Sequence, residues 1–243
     1  MVKTPMAKGM LADVSAALRR NRLLGELTDA EMGELLAIGR LVLFDAGQTV
    51  FTKGDPGDCL YAILKGQIAV NTSTAGGKTM TLNMLDPGEI LGEIALIDGK
   101  ERTAGATALR PSELYRIDRA DFIPFLERHP RLCIRMMGVL CERLRWVSDN
   151  IEDAVFHDVP RRLARRLLML AEKHGIATEA GLRIGESTSQ EALAAMLGVT
   201  REMVNKSLKA LRRANAVVYI KGFLVITDVA LLKDMAGDAA PLR

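Results

Sequence analysis

In LGEIALIDGKERTAGATA, Leu91 to Ala108, the carboxylate of Glu93 stands nine residues before the guanidinium of Arg102, among mostly Gly, Ala, Ile and Leu. Two opposite charges in so apolar a segment either pair with each other or await a ligand bearing a hydroxyl and an anion. In isolation the pair reads as a loop salt bridge, although such a bridge has no need of the small neighbours. A second set of polar residues lies in TSQEALAAMLGVTREMVNKSLKALRRANAV. There Val204, Leu208 and Leu211 repeat at helical spacing, which leaves Arg201, Glu202, Asn205 and Lys206 on the opposite face. Arginine suits the O6 and N7 atoms of guanine, glutamate the amino group of cytosine, and asparagine or lysine a base edge or a phosphate. Catalytic signals are missing: His129, His157 and His174 have no metal-ligand spacing, and neither G-x-S-x-G nor G-x-x-x-x-G-K-[ST] occurs. The expectation is a binding protein with no enzymatic activity and no metal.

The elements around the second set spell a helix, a tight turn and a second helix. Ser187, Thr188 or Ser189 can cap the first helix, Gly198 tolerates the left-handed turn, and Thr200 caps the second. AVVYIKGFLVIT follows as two strands around Lys221 and Gly222, a wing beside the helices. From Val159 to Val218 the chain carries 11 Lys plus Arg against 5 Asp plus Glu, whereas the whole sums to only +3. A basic segment on a near-neutral body fits double-stranded DNA as the partner.

Around the first set the texture is different. LVLF, TVF, LYAILKG, QIAVNT, TMTLNML and SELYRI are short β-prone runs separated by FDAGQ, TKGDPGD, TAGGK and LDPGE, which predicts a small antiparallel barrel or sandwich. Before it, Thr28 stands three residues ahead of Glu31 in a capping box that starts a helix. After it, RLCIRMMGVLCERLRWVSDNIEDAVF contains no proline, and Cys133, Met137, Leu140, Leu144, Val147, Ile151 and Ala154 alternate at steps of four and three. That heptad seam predicts a long helix pairing with a second copy of the chain, a parallel homodimer. His157 and Asp158 then form a hinge, and VPRRLARRLLMLAEKHG an amphipathic helix ending near Gly175. The expected division is a tail over 1–20, a β-domain over 21–129, the dimerisation helix over 130–156, a hinge over 157–159 and a DNA-binding domain over 160–243.

The chain has 243 residues, 49% hydrophobic and 26% charged, enough for two modest domains. No apolar run approaches the roughly 20 residues of a membrane helix, so a cytoplasmic protein without a membrane partner is expected. Cys59, Cys133 and Cys141 are odd in number and widely spaced, which speaks against a disulfide framework.

Across about Leu24 to Leu232 the chain resembles the catabolite activator, or cyclic AMP receptor, family of bacterial transcription regulators. The likeness rests on FTKGDPGDCLYAILKGQIAV, LGEIALIDGKERTAGATA and TSQEALAAMLGVTREMVNKSLKALRRANAV, in that order, with the heptad helix between the second and third. It implies an α+β protein: a cyclic-nucleotide-binding β-roll of jelly-roll type, a long dimerisation helix and a C-terminal winged helix-turn-helix. It further implies a phosphate-binding cassette made of Gly92, Glu93, Ile94, Ala95, Arg102 and Thr103. Backbone N–H groups after Gly92 would approach a cyclic phosphate, Glu93 would accept the ribose 2'-hydroxyl, and Arg102 and Thr103 would hold the anion. Val147 and Ser148 stand where the family's cyclic AMP receptors carry a Thr-Ser pair that reads adenine. Valine can neither donate nor accept, and Thr103 matches an RTA pattern of cyclic-GMP-selective domains. Cyclic AMP is the expected ligand and cyclic GMP, or both, the alternative; a ligand-independent DNA binder with a vestigial pocket is the third reading. By likeness Ser189, Thr200, Arg201, Glu202, Asn205 and Lys206 would contact a palindrome of TGTGA type. By position, the loop KHGIATEAG would contact RNA polymerase.

Overall fold

The structure is a computed structural model that describes residues 8–21, 23–73, 79–185 and 189–237. The chain divides into two compact units, Met1–Leu144 and Arg145–Arg243.

In the first unit, helices α1 (Lys8–Leu18) and α2 (Asp29–Ile38) precede eight strands: β1 (Gly39–Phe44), β2 (Thr49–Phe51), β3 (Cys59–Lys65), β4 (Ile68–Ser73), β5 (Thr79–Leu85), β6 (Ile90–Leu91), β7 (Gly105–Ala108) and β8 (Ser112–Asp118). Helix α3 (Glu93–Asp98) lies between β6 and β7, and α4 (Arg119–Arg128) leads into α5 (Pro130–Phe156). Thr28 closes the expected capping box, accepting from the Glu31 N–H at 3.3 Å while its own N–H donates to Glu31 Oε2 at 2.7 Å. The strands form two antiparallel sheets, β1-β8-β3-β6 and β2-β7-β4-β5, in keeping with the antiparallel barrel or sandwich predicted from the glycine-spaced runs and with the β-roll that the resemblance implied. The TAGGK turn between β4 and β5 lies outside the described residues.

Strand β3 explains why LYAIL reads as a continuous apolar run. Leu60, Ala62 and Leu64 turn to a core shared with α1, α2, α4 and the first turns of α5, while Cys59, Tyr61 and Ile63 turn to the core between the sheets. β7 and α1 are among the elements absent from the sequence reading. GATA forms β7, whose small residues carry little β propensity; a Cβ on Gly105 would stand 2.6 Å from Asn71 Oδ1. Helix α1, within the segment expected to be a tail, buries Val14, Ala17 and Leu18.

Helix α5 runs from Pro130 to Phe156 as expected, and its exposed apolar stripe differs from the heptad reading by one residue at the N-terminal end. Cys133, expected on the seam, is half-buried against the core of its own unit, its thiol 3.4 Å from the Leu126 carbonyl, and Leu140 is also half-buried. The exposed positions are Ile134, Met137, Cys141 and Leu144. The cause is that a helix lying on its own domain spends one face there, and Leu132 and Met136 set that face.

The second unit holds the rest of α5, then α6 (Val159–His174), β9 (Gly175–Thr178), β10 (Gly181–Ile184), α7 (Gln190–Leu197), α8 (Arg201–Arg213), β11 (Val217–Ile220), β12 (Phe223–Ile226) and α9 (Val229–Ala236). Met137 and Leu144 continue here as Val147, Ile151 and Ala154, all exposed. His157 and Asp158 interrupt the helices at the expected hinge, and Asp158 caps α6 by accepting from the Arg161 N–H at 3.1 Å. The division into compact units falls between Leu144 and Arg145, inside α5. KHGIATEAG, expected to be a loop, forms most of the β9–β10 hairpin, and the wing is a four-stranded sheet ordered β11-β12-β10-β9. Leu163, Leu167, Leu193, Leu208, Leu211, Leu224 and Leu232 are buried in this unit.

Candidate functional site

In the first unit Gly92, Glu93, Ile94, Ala95, Arg102 and Thr103 come together, as expected, with Phe51, Val70, Leu91, Ala104 and Arg143 around a small pocket. Gly92 caps α3 at φ +84°, a left-handed conformation, and a Cβ there would stand 2.4 Å from Arg102 Nη1. The glycine thus both turns the chain from β6 into α3 and lets the guanidinium lie against the backbone. Gly57 is bare for a similar reason, since a Cβ there would lie 2.4 Å from the Ala95 Cβ and 2.4 Å from the Lys100 carbonyl oxygen. That close approach seats α3 on the loop TKGDPGD.

Arg102 is held from several directions. Its N–H donates to the Asp55 carbonyl at 2.8 Å and its carbonyl accepts from the Gly54 N–H at 3.0 Å, so the same loop fixes its backbone. The guanidinium donates to the Gly92 carbonyl at 2.9 Å and the Cys59 carbonyl at 2.7 Å, and stacks 4.3 Å from the Phe51 ring centroid. Arg102 is 4% exposed, and its Nε–H, although buried, has no partner.

Glu93 is 0% exposed, and it does not pair with Arg102. The loop salt bridge that the isolated segment suggested is replaced by an ion pair with α5: Arg143 Nη1 lies 2.8 Å from Glu93 Oε1, too poorly aligned to satisfy that oxygen as a hydrogen bond. Arg143 Nη2 donates to the Ile90 carbonyl at 2.7 Å. Glu93 Oε2 has no partner at all. Burial pushes the Glu93 carboxyl above the usual range, and the positive charges of Arg143 and, more weakly, Arg102 pull the other way. The pocket therefore offers a buried acceptor, a buried cationic donor and the exposed hydroxyl of Thr103, beside Val70, Leu91 and Ile94. Those orphaned atoms suit a ligand with a hydroxyl to donate and an anion to accept. Arg143 was missed as a pocket residue because it lies fifty residues along the chain from Glu93, and within α5 it reads as a seam-flanking charge.

Val147 and Ser148 lie on α5 in the second unit, where both are exposed. In the same unit, Ser189 proves to be the cap of α7, accepting from the Ala192 N–H at 3.0 Å; Ser187 and Thr188 lie outside the described residues. Gly198 takes the left-handed turn at φ 65° and Thr200 caps α8, accepting from the Met203 N–H at 3.3 Å. Val204, Ser207, Leu208 and Leu211 are buried, so α8 presents Arg201, Glu202 and Lys206 to solvent, with Asn205 half-buried beside them. Arg201 Nη1 lies 3.3 Å from Glu191 Oε1, an exposed pair that holds the side chain only lightly. Such a helix, capped and polar outward beside a β wing, can enter a major groove by its N-terminal end.

Residues 41–129 match the family described as cyclic nucleotide-binding domain, and residues 161–235 match the Crp-like helix-turn-helix domain. The chain is 34% identical over 165 residues to the CRP-like cAMP-activated global transcriptional regulator of Mycobacterium tuberculosis, covering 68% of this chain and 74% of that one. It is 31% identical over 194 residues to the cyclic AMP receptor protein of Thermus thermophilus, covering 80% of this chain and 87% of that one. Among solved structures, the c-di-GMP-responsive regulator CLP of Xanthomonas campestris superposes with a TM-score of 0.74 at 22% identity, covering 83% of this chain and 100% of that one, a likeness of fold.

Proposed function

The chain belongs to the cyclic AMP receptor (CRP) family of transcription regulators, and from that premise we propose that it is a ligand-gated homodimer that binds cyclic AMP in the β-roll and then a palindromic DNA operator through α8. The observation that carries the ligand reading is that one pocket is lined by Glu93, whose buried carboxylate has no hydrogen-bond partner, and by Arg102, whose buried Nε–H has none either. A ribose 2'-hydroxyl donates to Glu93, and the cyclic phosphate accepts from Arg102, Thr103 and the first backbone N–H groups of α3. Cyclic AMP is preferred because two relatives are named for it. Cyclic GMP is the second reading, favoured by Thr103 and by a valine at position 147 that has no group for the adenine amino.

The stripe of Ile134, Met137, Leu144 and Ile151, each more than half exposed, supports pairing of two chains along α5. Arg143 couples ligand to helix: it leans on Glu93 from α5, so a hydroxyl arriving at that carboxylate changes what holds the helix. The ligand then favours the state in which His157 and Asp158 set two α8 helices about 34 Å apart, one DNA turn.

Calorimetric titration with cyclic AMP and then cyclic GMP, without and with a TGTGA-type palindrome, tests the reading. Binding of one nucleotide that also strengthens DNA binding supports it. Intact DNA affinity with neither nucleotide bound removes the ligand gate, and light scattering that shows only a 26.5 kDa species removes the dimer.

A further inference from the structure

A pocket of the second unit lies at the far end of α8 from the base-reading residues. Lys209, Arg212, Arg213, Asn215, Val217, Val218 and Thr227 line this open concavity. Its far wall is stiff: Thr227 Oγ1 donates to the Asn215 carbonyl at 2.6 Å, and the Thr227 N–H to the Ala216 carbonyl at 3.0 Å. Its near wall carries only positive charge. Among the described residues no carboxylate pairs with Lys209, Arg212 or Arg213. Asp228, next to Thr227 in the chain, is engaged in capping α9, accepting from the Leu231 N–H at 2.9 Å.

Lys209 and Arg213 follow Glu202 and Lys206 at steps of three and four, so all four share one exposed face of α8. From Glu202 to Arg213 the helix rises about 16 Å, at 1.5 Å per residue. A major groove is about 12 Å wide, so when the first turn of α8 reads bases the last turn lies at the lip of the groove, level with the phosphates.

Building on the DNA-binding reading, we propose that this concavity is a clamp for the DNA sugar-phosphate backbone flanking each half-site, with Lys209 and Arg213 as its phosphate contacts. It adds affinity without sequence preference, because phosphates are the same in every sequence. Two further roles compete for these cations. They could merely offset the negative end of the α8 dipole, or they could meet an acidic protein surface.

Salt-dependent binding separates the three. The wild type and a Lys209→Gln/Arg213→Gln variant are titrated by fluorescence anisotropy between about 50 and 200 mM salt, with and without cyclic AMP, against a TGTGA-type palindrome with long flanks and a scrambled duplex of equal length. The clamp requires the log-log salt slope of the variant to be shallower by about 1.8, roughly 0.9 for each phosphate lost, so that the affinity ratio of the two proteins changes about twelvefold over that range. The ratio between palindrome and scramble should be the same for both proteins. An unchanged slope in the variant overturns the clamp while leaving DNA binding intact, and is the result that an acidic protein partner or a dipole role would give. A Lys209→Arg/Arg213→Lys variant should keep the wild-type slope; if it loses as much as the glutamine variant, the effect is structural and the clamp is rejected. Failure of the wild type to bind either duplex overturns the DNA reading and the clamp with it.

Discussion

The pocket around Glu93 and the outer face of α8 both present charge to a partner, and they do so under opposite conditions. Glu93 and Arg102 are almost wholly removed from water and leave buried polar atoms unsatisfied; backbone carbonyls and an aromatic ring fix Arg102, and Arg143 leans on Glu93. Arg201, Glu202 and Lys206 stand in solvent on one capped helix, held by little more than an exposed ion pair. A small ligand must be enclosed, so its site stores unmet desolvation that the ligand relieves. DNA is rigid and repetitive and needs only a correctly spaced face. Changes at the first site should therefore disturb both binding and stability, and changes at the second should disturb binding alone.

The largest expected effect is at Arg102. In Arg102→Ala, cyclic nucleotide affinity measured by calorimetry should fall by roughly ten- to a hundredfold or more, the loss of a charge-assisted contact, and the melting temperature should fall as well because the Gly92 and Cys59 carbonyls lose their donors. Unchanged affinity would break the comparison by making the buried pair structural. Next is Arg201→Ala, which should reduce preference for the palindrome over the scramble by about tenfold, within the 1–3 kcal/mol of a good base contact. Its melting temperature and nucleotide affinity should match the wild type, since the side chain is 65% exposed. A lowered melting temperature here would show the outer face to be part of the fold.

A smaller and more diagnostic effect is expected from Glu93→Gln. Burial raises the carboxyl pKa in the folded protein, so the folded state binds the proton more tightly than the unfolded one. The stability associated with that proton is full below the unfolded pKa and is lost as pH rises through the folded one. In the absence of nucleotide, Glu93→Gln should thus be at least as stable as the wild type at neutral pH, with the advantage shrinking as the solution is acidified through the raised pKa, while nucleotide affinity falls. A variant less stable than wild type at neutral pH would mean that the Arg143 pair outweighs burial. The gentlest probe concerns the seam between the two sites. Mild oxidation should cross-link Cys141 of one chain to Cys141 of its copy and leave Cys133 unreacted, read by non-reducing electrophoresis of Cys141→Ser and Cys133→Ser. Cross-linking through Cys133 would restore the heptad register read from sequence.

Much of this was legible along the chain. An antiparallel β-domain followed from short apolar runs set off by glycine, α2 from Thr28 and Glu31, and α7 and α8 from Ser189, Gly198 and Thr200, because caps, turns and periodicity are local and each is written within a few residues. Gly92, Glu93, Ile94, Ala95, Arg102 and Thr103, which line one pocket, were also singled out along the chain, although as a likeness in motif. What escaped includes β7, whose Gly and Ala residues have little β propensity and are strand through pairing with β2 and β4; helix α1; and the hairpin of β9 and β10, whose residues Ile176, Ala177 and Thr178 are exposed and so show no burial pattern.

The sequence by itself determined the order of the domains, the capped helix pair with its polar face, and the presence of one carboxylate and one arginine in a small-residue segment. Only the tertiary structure decided that Glu93 turns to Arg143 and leaves Arg102 to backbone carbonyls, and that Ile134 and Cys141 take the outer stripe of α5 from Cys133 and Leu140. The reason is the same in both cases. Caps and turns are settled between residues that are neighbours in the chain, whereas burial is settled by whatever the rest of the fold places alongside, and a helix packed against its own domain fixes which charge is enclosed and which face is left over.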